Sequence, residues 1–260
     1  MKLLCYNVNG IRAVWNKGFL NFMERENPDV LCLQETKIQP RQVTQEMQNP
    51  LGYYSEWSSA ERPGYSGVAT FSKEKSALAR KELGNGRHDS EGRLVLTEFA
   101  VPGIVDGVTV VNVYIPNGGQ GDHRIAFKLD YYDEMLDVLE GLRKEGKNLV
   151  ICGDFNTAHT EMDLARPAEN EGITGFLPVE RAWLDKFVAA GYVDTFRALH
   201  PDAKDAYTWW SYRSGAKQRN VGWRIDYFFV NKELMPHVKR SWILSDVEGS
   251  DHCPIGLIIE

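Results

Sequence analysis

Residues 148–156 read NLVICGDFN. Leu149 to Cys152 form an uninterrupted apolar run, which is the pattern of a strand buried on both faces, and the run stops at Gly153, Asp154 and Asn156. The segments on either side read as helices. Residues 122–145 carry Ile125, Leu129, Tyr132, Leu136 and Leu139 at helical spacing, and VERAWLDKFVAAG (179–191) is a second helix closed by Gly191. Toward the N-terminus, KLLCYNV (2–8) is a strand, GIRAVWNKGFLNFMERE (10–26) an amphipathic helix and DVLCLQE (29–35) another strand. GVATFSK, GRLVLTEF and VTVVNVYIPN (67–73, 92–99, 108–117) continue as β structure, and VGWRIDYFFVN, VKRSWIL and PIGLIIE (221–231, 238–244, 254–260) return to it. Two sheets packed together with helices on the outside, an α/β sandwich over residues 1–260 as one domain, accommodates this order.

The chain has 260 residues, 43% hydrophobic and 25% charged, as an ordinary globular protein does. No window approaches the apolar length of a membrane span, and MKLLCYNVNG meets Asn7 and Asn9 too early for a signal-peptide core. Cys5, Cys32, Cys152 and Cys253 form no CxxC pair and each lies in or beside an apolar run. They read as buried thiols of a reducing cytoplasm rather than as disulfides or a zinc site. A net charge of −6 argues against indiscriminate coating of nucleic acid.

Polar residues gather where the apolar runs stop. Asn7 and Asn9 follow LLCY; Gln34 and Glu35 follow VLCL; Tyr114 and Asn117 close the 108–117 run. Asp226 interrupts WRIDYFFV, and Asp251 with His252 in SDHCPI (250–255) precede the last strand. One Asp or Asn at a strand end is ordinarily a turn former. The ensemble of carboxylates, amides, a histidine and a tyrosine asks for a site beyond the strand ends instead. Oxygen donors such as these suit Mg²⁺, with Mn²⁺ as a substitute, and a hard cation of that kind serves phosphate chemistry. For hydrolysis of a phosphodiester, His252 or Asp154 is the base, and Asp226 orients the imidazole. Asn7 and Asn156 donate to phosphoryl oxygens, and Tyr114 assists the leaving oxygen.

Taken together, NVNGIRA, DVLCLQETK, GYSGVA, EGR, YIPN, GDFNTAH, DLARP, TGFLPVERAWLD, YTWWSYR, NVGWRIDYFFV and SDHCPI resemble the exonuclease III family of abasic-site endonucleases nearly end to end. The resemblance implies a four-layer α/β sandwich with two packed β-sheets, as in DNase I. It also implies base-excision repair: Mg²⁺-dependent cleavage 5′ to an abasic site, with 3′-5′ exonuclease or 3′-phosphodiesterase activity. Glu35 would be the principal metal ligand, with Asp251 and Asn9 nearby and Asp154 and Asn156 at the attacking water and scissile phosphate. His252 would pair with Asp226, with Tyr114 and Asn7 close by; the base would be Asp154 or the His252–Asp226 pair. Asn9 stands where some members carry Asp, one carboxylate fewer for a second ion.

Residues 206–225, AYTWWSYRSGAKQRNVGWRI, hold Arg213, Lys217, Arg219 and Arg224 and no acid, a local +4 interleaved with aromatic rings. Cations along phosphates and rings against an exposed sugar or base account for that composition. Resemblance makes Trp209 and Trp223 the walls of a pocket for base-free deoxyribose and places Arg213 where other members carry an apolar wedge. Asn117, Gln120 and Tyr65 join the DNA contacts, with Arg62, Arg87, Arg93, Lys128 and Arg181 as further phosphate or framework residues. The partner expected is double-stranded DNA with abasic sites or blocked 3′ ends, bound by a monomer. The rival readings are a same-fold phosphodiesterase acting on another phosphate ester and a noncatalytic DNA-binding module.

Overall fold

The structure is a computed structural model and describes residues 1–84 and 86–260. In chain order the strands are β1 (Lys2–Asn7), β2 (Val30–Gln34), β3 (Tyr54–Ser58), β4 (Val68–Ser72), β5 (Ala79–Arg80) and β6 (Leu94–Val101). They continue with β7 (Ile104–Tyr114), β8 (Leu149–Asp154), β9 (Tyr192–Asp194), β10 (Asp226–Asn231), β11 (Val238–Ile243) and β12 (Ile255–Ile259). They form two six-stranded mixed sheets, ordered β11-β12-β1-β2-β4-β3 and β5-β6-β7-β8-β10-β9.

Alternation along each strand decides which side chains face which layer. Along β1, Leu4 and Tyr6 join the core under the helices Ile11–Trp15 and Phe19–Glu26, while Leu3 and Cys5 enter the core between the sheets. Along β8, Leu149 and Ile151 pack toward the helices Asp122–Lys144 and Pro178–Ala189, while Val150 and Cys152 face the other sheet. Burial on both faces explains why these strands read as continuous apolar runs. The layers are therefore helix, sheet, sheet, helix, the four-layer sandwich expected from the sequence.

Two expectations need correction. The single helix over 10–26 is two helices, Ile11–Trp15, which ends at the C-cap Asn16, and Phe19–Glu26, whose N-cap Gly18 sits at φ +94°, a left-handed conformation that breaks helical continuity. The strand expected over 221–231 begins only at Asp226, so Asp226 opens β10 rather than interrupting it. Residues before it run as a loop with isolated bridges, Trp223 pairing both Leu164 and Trp209. Among the described residues, no helix is long and apolar enough to cross a membrane.

Candidate active site

Register gathers the polar strand ends. Asn7 lies opposite Gln34 across the parallel β1–β2 pair, Tyr114 opposite Asp154 across β7–β8, and Asp154 opposite Asp226 across β8–β10. Parity then turns them inward: Asn7 continues the Leu3–Cys5 face, Asp154 the Val150–Cys152 face, and Asp226 the Phe228–Val230 face, all toward the space between sheets. At that rim the core stops and side chains meet that no core requires.

The two sheets meet at Asn7, whose Nδ2 donates to Glu35 Oε1 at 2.9 Å and to Asp154 Oδ2 at 2.8 Å, one amide bridging both sheets. Asn9 Nδ2 donates to Asp251 Oδ1 at 2.9 Å. The segment bearing Asp251 and His252 is held by the Trp-rich loop: Trp210 N donates to Asp251 O and Cys253 N to Thr208 O. Trp209 Nε1 also donates to Asp251 Oδ2 at 3.1 Å. SDHCPI thus stands at the entrance to β12 because β12 runs antiparallel to β1, so the start of one lies beside the end of the other.

Carboxylate and imidazole atoms of Glu35, Asp154 and His252 lie within 4.8 Å of one another. His252 Nδ1 is 2.8 Å from Asp226 Oδ2, and its Nε2 is 3.8 Å from Asp154 Oδ2. Thr208 Oγ1 donates to Asp226 Oδ2 at 2.6 Å, fixing the far carboxylate. Asn156 N donates to Asp154 Oδ1 at 2.8 Å and Asn117 Nδ2 to Asn156 Oδ1 at 2.9 Å. Asn9, Glu35 and Asn156 hold φ of +44°, +50° and +49°, left-handed conformations that non-glycine residues seldom adopt and that concentrate at functional sites.

Electrostatics follow from this crowding. Burial pushes the Asp154 carboxyl up to about 7; His252 opposes the rise, while Asp226 and Glu35 add to it. For His252, burial works against the imidazolium, yet the Asp226 carboxylate, reinforced by Asp154, outweighs it and raises the group to about 10. Burial would likewise raise Glu35, but the Lys37 ammonium 2.8 Å away holds it below its ordinary value. Burial and the Glu35 carboxylate keep the Tyr114 phenol well above its ordinary range.

Glu35, Tyr114, Asp154 and His252, with Asn9, Asn117, Asn156 and Asp251, line a cavity of about 430 Å³ whose other walls are Trp209, Trp223, Ile225 and Ile173–Gly175. The two indole rings stand edge to face with centroids 6.2 Å apart. Asn7, Asn9, Glu35, Tyr114, Asn117, Asp154, Asn156, Trp209, Trp223, Asp226, Asp251 and His252 therefore assemble in one place. Arg213, Arg219 and Gln120 are exposed beyond it, and Lys217 lies half-buried with its ammonium over the Trp210 ring.

Arg224 corrects the expectation of a DNA contact. It is buried, its guanidinium held by Asp163 at 2.8 Å and Asp194 at 2.7 Å, because the chain turns inward to enter β10. Arg93 and Lys128 are buried framework as well. Arg93 donates to Tyr114 O and to Tyr65 Oη, and Arg181 donates to His159 O over the Phe176 ring. Arg62 lies over the Tyr65 ring and Arg87 pairs with Asp130. Sequence reasoning missed Lys37, which pairs with Glu35 and also donates to Asn9 Oδ1, and missed Thr208, Ser250 and Ile173–Gly175. Lys37 is two residues past Glu35, a signal that was available; the others carry none.

A profile described as the Endonuclease/Exonuclease/phosphatase family matches residues 4–252. An exodeoxyribonuclease of Bacillus subtilis is 44% identical over 260 residues, covering 100% of this chain and 99% of that protein. A DNA-(apurinic or apyrimidinic site) endonuclease of Dictyostelium discoideum is 41% identical, covering 100% of this chain and 71% of its own length. The catalytic domain of Xenopus laevis APE2 superposes with a TM-score of 0.90 at 34% identity, covering 100% of this chain and 91% of that one. An AP endonuclease from Archaeoglobus fulgidus superposes at 0.89 with 27% identity, covering 100% and 99%. With a family profile matching nearly its whole length, the chain belongs to the endonuclease/exonuclease/phosphatase family of hydrolases.

Proposed function

We propose that this protein is a DNA repair nuclease that uses Mg²⁺, or Mn²⁺ in its place, to hydrolyse the phosphodiester 5′ to an abasic site. The products are a 3′-hydroxyl and a 5′-deoxyribose phosphate. The observation that carries the reading is the juxtaposition of Glu35, Asp154 and His252 with a cavity walled by Trp209 and Trp223. The first is phosphodiester chemistry, and the second is a flat-walled space for a sugar without its base. The names of the Dictyostelium and Archaeoglobus relatives support it. A noncatalytic DNA-binding module has no use for three inward-facing titratable groups in contact range.

The donor set fits a hard divalent cation. Glu35 and Asp251 offer carboxylate oxygens at the rim, Asn9 and Asn156 amide oxygens, and among the described residues no thiol lines the cavity to favour a soft metal. Glu35 is the main ligand, with Asp251 and Asn9 beside it; Asp154 and Asn156 stand where ligand and substrate meet. Such an ion, when bound, neutralises charge on the phosphoryl group and acts as a Lewis acid.

The chain's own residues divide the remaining work. The Asp226 and Asp154 carboxylates keep His252 protonated at neutral pH, so it donates from Nε2 and stabilises negative charge on the phosphoryl oxygens. Asp154, raised to about 7, is poised near neutrality to take a proton from water. Asp226 and Thr208 hold the imidazole in place. Asn7 and Asn156 spend their side-chain amide donors within the site, on Glu35, Asp154 and Ile115 O, so they position the carboxylates rather than donate to the phosphate, and Tyr114, kept protonated, donates to the leaving oxygen. Asn117, Gln120, Tyr65, Arg213, Lys217 and Arg219 contact the duplex. Trimming of 3′ ends is a second activity of the same site, supported by the exodeoxyribonuclease name of the Bacillus relative. One chain supplies every group named, so a monomer suffices, and free buried thiols suit a reducing cytoplasm that holds the chromosome.

The test is a labelled duplex with one abasic site, incubated with Mg²⁺ and with EDTA. Cleavage 5′ to the lesion only with metal is expected. An intact duplex at every Mg²⁺ and Mn²⁺ concentration overturns the reading.

A further inference from the structure

Behind the cavity, away from solvent, lies an ion pair that the chemistry above does not use. Lys128, on the long helix Asp122–Lys144, and Glu180, on the first turn of Pro178–Ala189, are both 0% exposed, with Nζ 2.6 Å from Oε1. A buried ion pair is no net source of stability as a rule, since desolvation of two charges offsets their attraction. Its partners suggest another use. Lys128 Nζ donates to Asn156 O and to Thr157 Oγ1, each at 2.7 Å. Glu180 accepts from Thr174 Oγ1 at 2.9 Å, from Gly175 N at 2.5 Å and from Leu177 N at 3.1 Å.

The two ends of the pair therefore hold two different walls of one cavity. Asn156 is a site amide in a left-handed conformation, and its carbonyl is tied by Lys128. Thr174 and Gly175 belong to the loop between the short helix Pro167–Asn170 and the helix Pro178–Ala189, and their side-chain and main-chain donors go to Glu180. The walls fit closely. A Cβ at Gly175 would lie 3.1 Å from Trp223 Cζ3 and 3.2 Å from Asn156 O, and one at Gly118 would lie 2.2 Å from Thr174 Oγ1.

We propose that Lys128 and Glu180 are positioning residues that set the width of the sugar cavity, by clamping Asn156 and the Thr174–Gly175 wall to one buried charge pair. The clamp rests on the nuclease reading above and deepens it: cavity width determines whether a base-free deoxyribose is preferred over an intact nucleotide, because Trp223 is backed by Gly175. Neither residue touches the reacting atoms.

The experiment separates positioning from folding. Lys128→Met alone leaves a buried carboxylate unpaired and lowers Tm. The double variant Lys128→Met/Glu180→Gln removes both charges at conserved size and regains most of that loss, but cannot rebuild the donor to Asn156 O. Cleavage of abasic and intact duplexes is compared for wild type, single and double variants well below their Tm. The double variant is expected to show KM for the abasic duplex raised about tenfold and the abasic-to-intact preference reduced about tenfold, with Tm near wild type. Wild-type KM and preference in the double variant would overturn the proposal, since a purely structural pair is restored when stability is restored. Hydrogen exchange at Gly175 and Leu177 amides gives a readout independent of the reaction. Because Glu180→Gln keeps an acceptor for both amides, exchange is read in Lys128→Met/Glu180→Met, where it should quicken while the Pro178–Ala189 helix interior stays protected. Unchanged exchange there sinks the clamp even if the nuclease reading stands, and quickened exchange upholds it even if abasic DNA proves not to be the substrate.

Discussion

His252 holds its proton at neutral pH because Asp226 faces it and Asp154 lies beyond, so the two titrations on this site fall at neutrality and well above it. Activity is expected to rise as Asp154 loses its proton near pH 7 and to fall as His252 loses its own near 10. A bound divalent ion adds positive charge near Asp154 and moves the acidic limb to or below 7. Asp226→Asn removes the charge that raises His252, so the alkaline limb should move to lower pH in kcat against pH; an unmoved limb contradicts the pairing. Glu35→Gln, Asp154→Asn and His252→Asn should each lower kcat on the order of 10²-fold or more, with DNA affinity measured in EDTA little changed. Arg224 makes the opposite kind of prediction. Arg224→Met leaves the buried Asp194 without its guanidinium and Asp163 with Arg197 alone, and should cost about 3–5 kcal/mol of unfolding free energy in urea titration, with kcat of the folded fraction retained.

Elements bring these residues together through two periodicities. Strand parity aims Asn7, Asp154 and Asp226 into the same gap, and register sets Tyr114, Asp154 and Asp226 in one row across three strands. A one-residue slip of β8 would turn Asp154 toward the helices, so register is as much a condition of the site as residue identity. The Trp-rich loop works differently. It pairs only through isolated bridges, and its cations split by direction: Arg224 goes into the interior, while Arg213 and Arg219 stay at the surface. Arg213→Ala should therefore weaken binding and reduce the slope of log affinity against log salt by about 1, as loss of one phosphate contact does. A slope equal to that of the parent protein would exclude the contact.

For the whole molecule, the termini meet inside one sheet, β1 pairing with β12 and the Met1 ammonium donating to Ile259 O at 2.7 Å. With both sheets sharing a core, residues 1–260 are expected to unfold in one transition, coincident by far-ultraviolet dichroism and tryptophan fluorescence; two separated transitions would refute a single domain. Acid should weaken the protein through Asp163. Burial alone would raise that carboxyl, but Arg224 and Arg197 hold it well below the ordinary carboxylate range. A folded-state value depressed below the unfolded one gives stability that is complete above about pH 4 and lost as pH falls from there toward the folded value. The stability gap between wild type and Asp163→Asn should therefore shrink below about pH 4.

The sequence alone determined the layers, since apolar runs such as LVIC and LCL demand cover on both faces, and it marked the site, since carboxylates at strand ends have no local use. It also marked Trp209 and Trp223, two rings in a basic window. Only the tertiary structure decided which cations reach solvent. Arg224 and Lys128 are ordinary basic residues in the chain, and each is buried by carboxylates supplied from remote segments, Asp163 and Asp194 in one case and Glu180 in the other. Charge pairing across such distances leaves no trace in local periodicity, whereas burial of a strand face writes itself into every second residue.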